Sequence, residues 1–99
     1  MKYNYTESNG HYLINAEDNL LLIDTGNPYS FVFHNSRPIS INNTQFHFNK
    51  NLKYSQNYET FRKLVGRDYE GIIGMDLLKR LKKIQPIYNR VVDTIMDIE

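Results

Sequence analysis

Asp24 is followed by Thr25 and Gly26 and stands directly behind an apolar run, Leu20-Leu21-Leu22-Ile23. Asp and Gly are ordinary turn residues, so the plainest reading is a strand-end turn. A carboxylate held on such a turn is also a candidate acid–base group. At average residue usage a bare Asp-Thr-Gly falls by chance in roughly one or two chains per hundred of this length. A second segment, Gly71-Ile72-Ile73-Gly74-Met75-Asp76-Leu77-Leu78, joins a short apolar strand to a glycine and a helix start. Other reactive types are sparse. His11, His34 and His47 lack metal-ligand spacing and have no carboxylate set with them, so they read as structural or surface residues. There is no Gly-x-Ser-x-Gly, and no cysteine, which excludes disulfides, zinc–thiolate sites and cysteine nucleophiles. Neither a metal nor a cofactor is expected.

Ninety-nine residues make one domain. A chain of this size buries only about 60–65% of its unfolded surface, and dimerisation would add to that. The net charge is +1, and the longest basic run is Lys79-Arg80-Leu81-Lys82-Lys83, so nucleic acid is not an expected partner. No apolar stretch approaches a membrane span, and no membrane association is expected. Met1 to Tyr5 carries no apolar signal core, which makes the cytoplasm the default expectation. Asn4-Tyr5-Thr6 and Asn42-Asn43-Thr44 fit the glycosylation pattern and read as surface loops.

Around these motifs the chain reads as short strands with helices. Tyr3 to Thr6 is an edge strand. His11 to Ile14 and Leu20 to Ile23 form a hairpin about Ala16-Glu17-Asp18-Asn19. The second of these strands is apolar on both faces and belongs in the middle of the fold. Tyr29 to Phe33 is a strand with Phe31 and Phe33 on one face and Val32 on the other. Ile39/Ile41 and Phe46/Phe48 alternate about a turn at Asn42-Asn43-Thr44. Ser55 is placed as the N-cap of a helix whose inward residues are Tyr58, Phe61, Leu64 and Val65, with Gly66 as its C-cap. Tyr54, Tyr58 and Tyr69 read as core and rim packing. Ile72-Ile73 is a short buried strand. Asp76 is placed as the cap of a helix with Leu77, Leu78, Leu81 and Ile84 inward, its lysines and Arg80 solvated, and Pro86 at its end. Residues 87–99 support two readings: a hairpin about Asn89-Arg90, or a helix with Val91, Val92, Ile95 and Met96 inward.

In this order and combination, Asp24-Thr25-Gly26 behind an apolar strand and Ile72-Ile73-Gly74 before a helix resemble the retropepsin-like single-domain aspartic proteases. The resemblance covers about residues 13–84. It implies a mainly β fold with short helices, the acid-protease half-barrel. It also implies that Asp24 is the catalytic carboxylate, that Thr25 and Gly26 shape its loop, and that Gly26 donates its N–H to the carboxylate. Ile72-Ile73-Gly74 would then be the strand beside the loop, with Gly74 permitting close approach. In that family two carboxylates flank one water and share a proton. Only one such tripeptide is present, because Asp93-Thr94-Ile95 lacks the glycine, so a working pair requires a homodimer with Asp24 from each chain. The substrate would be a peptide or protein.

The match is closer to bacterial-type than to viral-type members. Asn27 stands where Ala or Ser is usual. Pro28 and Met75 replace an Asp and an Arg that pair in viral members. No glycine lies between Gly26 and Gly66, so a lid over the site would have to come from the Ile39–Phe48 hairpin. The interleaved terminal strands of the viral dimer have a counterpart only in the Val91–Ile98 segment. These departures keep a second reading open: a non-catalytic peptide- or protein-binding module that retains the fold, with the Ile39–Phe48 segment as the partner surface. A third is a fragment whose other half supplies the second aspartate.

Overall fold

In the computed structural model, which describes residues 5–84, one mixed sheet carries the Asp24 segment through its centre. The strands are β1 (Tyr5–Ser8), β2 (His11–Ala16), β3 (Asn19–Ile23), β4 (Phe31–Val32), β5 (Arg37–Ile41), β6 (Thr44–Phe48) and β7 (Gly71–Ile73). The helices are α1 (Leu52–Gln56), α2 (Tyr58–Val65) and α3 (Met75–Ile84). The five-stranded sheet runs β1-β2-β3-β7-β4, and β5-β6 form a separate hairpin. Strand β3 lies third of five, antiparallel to β2 and parallel to β7, as its apolar character on both faces requires.

Three two-residue turns build the hairpins. Asn9-Gly10, Glu17-Asp18 and Asn42-Asn43 all have positive φ at both positions, the backbone whose twist matches the flanking strands. At Glu17-Asp18 neither residue is glycine, and side chains support the turn. Asn15 Oδ1 accepts the Asp18 amide, and Asn19 Nδ2 donates to the Ala16 and Glu17 carbonyls. At the third tip Asn43 is exposed, but Asn42 is only 2% exposed, so this end of the hairpin is not the open surface loop expected.

Alternation along the strands splits the core into two layers. Ile14, Leu21, Ile23, Val32 and Ile73 face one side, where they meet Ile39, Ile41, Phe46 and Phe48 of β5–β6 and Leu77, Leu78 and Leu81 of α3. Leu13, Leu22, Phe31, Phe33 and Ile72 face the other, where they meet Val65 and Tyr69, with Tyr54, Tyr58 and Phe61 packed at the margin. Each fully buried aliphatic side chain contributes roughly 1.5–3 kcal/mol, so this double coverage is what holds a domain of this size. The expected faces of Phe31, Phe33 and Val32 are observed, although the regular strand spans only Phe31–Val32.

Several expectations are corrected. The β5–β6 hairpin is not a lid: its four large apolar side chains are at most 4% exposed and form one wall of the main core. For the same reason those side chains are not available as a partner surface. The middle helix is two helices. Asn51 caps α1 by accepting the Tyr54 amide, Ser55 lies inside α1, and Asn57 joins α1 to α2 without a side-chain cap. Gly66 does close α2, at φ 88°. Leu64 points outward at 61% exposure. Asp76 sits in the first turn of α3, one residue inside its start at Met75. Arg80 is not merely solvated, because its guanidinium lies 4.9 Å above the Phe46 ring. The side chains from Lys82 onward, including the expected packing of Ile84, the stop at Pro86 and both readings of 87–99, lie outside the described residues. Among the described residues no helix is long and apolar enough to cross a membrane.

Candidate functional site

The chain leaves β3 at Ile23 and turns at once. The Asp24 amide donates to the Ile73 carbonyl at 3.0 Å, which carries the β3–β7 ladder one residue past the end of the strand. The Asn27 amide closes the turn on the Asp24 carbonyl at 3.3 Å. Asp24 Oδ1 accepts the Gly26 amide at 3.1 Å, the contact expected for this tripeptide, and a Cβ at Gly26 would lie 3.4 Å from that oxygen. Asp24 and Thr25 are half-buried and Gly26 is exposed.

The Asn27 side chain is engaged along its own turn. Its Oδ1 accepts the Tyr29 amide at 3.1 Å, an Asx turn that directs the chain onward, and its carbonyl accepts the Met75 amide at 2.8 Å. Further along, the Asp76 amide donates to the Pro28 carbonyl at 3.1 Å. Ser30 Oγ accepts the Gly74 amide at 2.8 Å and donates to Asp76 Oδ1 at 2.6 Å. The loop from Asp24 to Ser30 is thus stitched along its whole length to residues 73–76. These bonds use no charged side chain at positions 28 or 75, which are Pro and Met. Gly74 makes the approach possible: a Cβ there would come within 2.5 Å of the Tyr29 carbonyl oxygen and 2.6 Å of that of Asn27. Ile72, Ile73 and Gly74 therefore lie beside the Asp24 loop, as the sequence implied.

Since Leu21 and Ile23 face the main core, Asp24 follows Leu22 onto the opposite face, under the α1–α2 layer. A cavity of about 230 Å³ opens there. Its floor is Leu22 and Ile72, its helical wall is Tyr54, Phe61, Leu64 and Val65, and Asp24 with Asn27 stands at one end. Two further polar residues line it. Tyr69 is 3% exposed, and its phenol is pushed well above the ordinary value by burial, with Tyr58 and Asp24 adding to the shift. His11 is the other. It opens β2, two residues before the Leu13–Leu22 pair at which the β2–β3 ladder ends.

Composition and motif spacing did not single out His11, whose signal lies in the hairpin register, nor the α1–α2 wall, whose placement needs the tertiary fold. His34 and His47 are exposed and stand apart from this cavity. Among the described residues no group of three or more His, Asp or Glu side chains is arranged to hold a metal ion. No family model, curated protein or solved structure matches the chain.

Proposed function

We propose that this protein is a retropepsin-like aspartic peptidase acting as a homodimer, with one Asp24 from each protomer. The observation that carries the reading is the fixed Asp24 turn. A carboxylate at the end of the central strand accepts the Gly26 amide, has its own amide tied to Ile73, and faces an apolar cavity. A single carboxylate so placed is half of an acid–base pair. Two of them across a dimer axis share one proton, since like charges that close do not both ionise.

The reaction needs no covalent intermediate. The ionised Asp24 takes a proton from a water whose oxygen attacks the scissile carbonyl carbon. The protonated Asp24 of the other protomer donates to the carbonyl oxygen. Collapse of the tetrahedral species breaks the C–N bond and passes a proton to the leaving nitrogen, giving an acid and an amine. Nothing else in the site has to move, which agrees with a loop held by bonds along its whole length.

One observation favours a non-catalytic peptide-binding module as a second reading. The hairpin expected as a lid is built into the core, so it is not an element that swings over Asp24. Two measurements separate the readings. Light scattering across protein concentrations should give a dimer, and a peptidase assay at acidic pH should give cleavage that a statine-type transition-state mimic blocks and Asp24→Asn abolishes. A strict monomer, or cleavage that survives Asp24→Asn, overturns the peptidase. The module predicts peptide binding that tolerates Asp24→Asn and no cleavage by the wild type.

A further inference from the structure

Tyr58 and Tyr69 pack with ring centroids 6.3 Å apart, and their hydroxyls fare differently. The Tyr58 hydroxyl is occupied: it donates to Asp68 Oδ1 at 3.0 Å and accepts the Tyr69 amide at 3.3 Å. Tyr69 is 3% exposed, and its hydroxyl makes no hydrogen bond among the described residues. Its ring stands edge-on to Phe33 at 5.0 Å, a contact that a phenylalanine would make equally well. Packing therefore accounts for the ring and not for the hydroxyl, since a buried hydroxyl without a partner is a cost to the fold. Tyr69 lines the Asp24 cavity. Burial raises its phenol most, and Tyr58 and then Asp24 add to that, so the hydroxyl lies within electrostatic reach of the carboxylate. On that carboxylate Oδ1 takes the Gly26 amide, and Oδ2 takes no hydrogen bond among the described residues. Between its apolar walls the cavity thus holds an uncommitted donor and an uncommitted acceptor.

We propose that this cavity is a binding site for a phenol, a ring whose own hydroxyl accepts the hydrogen bond that Tyr69 leaves unused. The size fits: about 230 Å³ exceeds the ~150 Å³ that holds benzene and falls short of a drug-sized site. The walls fit as well. Leu22, Leu64, Val65 and Ile72 supply aliphatic contact, and Tyr54 and Phe61 supply aromatic contact. The hydroxyl decides between ligands. It accepts from Tyr69 and keeps a proton to donate toward an acceptor such as Asp24 Oδ2. A hydrocarbon ring of the same shape does neither and leaves the Tyr69 hydroxyl unpaired. Tyr69 is thereby a specificity-determining residue that selects a polar-tipped ring over an apolar one. A tyrosine of a peptide and a free small molecule both carry this chemistry. The inference stands apart from the peptidase reading, because filling the cavity does not require that Asp24 reacts.

The test is a double-mutant cycle between ligand and protein. Isotope-labelled wild type and Tyr69→Phe are titrated with p-cresol and with toluene at neutral pH, where p-cresol is uncharged, and binding is read from amide NMR shifts, which also report the fold. Comparing the p-cresol/toluene affinity ratio between the two proteins cancels the differing hydration of the probes. Tyr69→Phe should cut the p-cresol preference roughly 5- to 10-fold, the worth of one hydrogen bond, while toluene binds no more weakly. Leu64→Ser, at an exposed position of the cavity wall, should weaken both probes and so place them there. A ratio unchanged by Tyr69→Phe overturns the inference, because water then satisfies the phenol. No binding of either probe by the wild type, or binding that Leu64→Ser leaves alone, overturns it as well. Fluorescein-labelled octapeptides with a central Tyr or Phe then assign the source. A Tyr peptide that outbinds both its Phe twin and p-cresol gives the site to a peptide side chain; a p-cresol preference with no discrimination between the peptides gives it to a free phenol. Phenol selection without peptide cleavage by the wild type upholds this inference and sinks the peptidase. Cleavage with no phenol selection does the reverse.

Discussion

The Ser30 hydroxyl donates to Asp76 Oδ1 over 2.6 Å while accepting the Gly74 amide over 2.8 Å, so one side chain joins the end of the Asp24 loop to the start of α3. The same Asp76 oxygen accepts the Leu77 amide at 2.7 Å. The sequence reading makes Asp76 a helix cap. It instead sits one residue inside the helix and works across the chain, so its removal should be felt at the Asp24 loop as well as in α3.

Ser30→Ala strips the Gly74 amide and Asp76 of a partner. Gly74 is buried, and a buried donor without its acceptor costs about 1–3 kcal/mol. Urea unfolding should show a loss in that range for Ser30→Ala and a smaller one for Asp76→Asn. The double variant should fall short of the sum by about 0.5 kcal/mol or more, since the two residues share one network. Strict additivity would show that the bond contributes nothing.

Gly74→Ala should be worse than its single methyl suggests. The new Cβ would meet two backbone carbonyl oxygens, which cannot turn aside as a flexible side chain does. Relief requires the Asp24 loop to move away from β7. The expected cost is roughly 1–3 kcal/mol or more by thermal or urea unfolding, with peptide binding weakened beyond what stability accounts for. Unchanged stability would mean that the loop is not held against β7.

The fold was legible where one residue type forced one outcome. Four apolar residues in a row at Leu20–Ile23 demanded a central strand, and Asn42-Asn43 demanded a tight hairpin. Gly66 and Gly74 stood where a side chain would strain or collide. Alternation at Ile39, Ile41, Phe46 and Phe48 showed that these residues share a face. It did not reveal that the face would be buried against α3 and not poised over Asp24, because periodicity along a strand carries no information about which surface lies opposite. The break between α1 and α2 was illegible for a related reason. Asn51, Ser55 and Asn57 are all competent caps, and packing of Tyr54 and Phe61 against Phe31 and Phe33 selects among them. His11 is a different case. Once a two-residue turn is set at Glu17-Asp18, counting back along the hairpin already brings it to the end of β2 nearest the Asp24 turn, and both residues line one cavity. The Asn9-Gly10 turn before it was equally readable and carries β1 on to Ser8, past the Thr6 end of the sequence reading, whose Tyr3 and Asn4 lie outside the described residues.

Leu64 and Phe61 lie on the same cavity wall and should separate stability from recognition. Leu64 is 61% exposed, so Leu64→Ser should change unfolding free energy by less than about 0.5 kcal/mol while weakening binding of a peptide with a central Phe. Phe61 is half-buried and its ring centroid lies 5.1 Å from that of Tyr54, so Phe61→Ala should cost roughly 1.5–3 kcal/mol as well as binding. Equal effects of the two substitutions on peptide affinity, once stability is allowed for, would confirm a shared wall. An effect of Phe61→Ala alone would put the peptide elsewhere.

Tyr69 links the cavity to alkaline stability. Burial, then Tyr58, then Asp24 raise its phenol above the ordinary value, so the folded protein favours the neutral form more than the unfolded chain does. The sign follows directly. Below about pH 10, the unfolded value, both states hold the proton and the stabilisation is fully present; above it the unfolded chain releases the proton first and stability falls as pH rises. The slope reaches at most about 1.4 kcal/mol per pH unit for one proton. Tyr69→Phe, which keeps the ring against Phe33 but removes the titrating group, should flatten that part of the decline between roughly pH 10 and 12 in urea unfolding. Tyr58 is also raised, chiefly by burial and by its hydrogen bond to Asp68, so some decline should persist. Tyr58→Phe/Tyr69→Phe should remove most of it. An alkaline limb unmoved by Tyr69→Phe would mean that the phenol reaches water freely and is not buried in the wall of the Asp24 cavity.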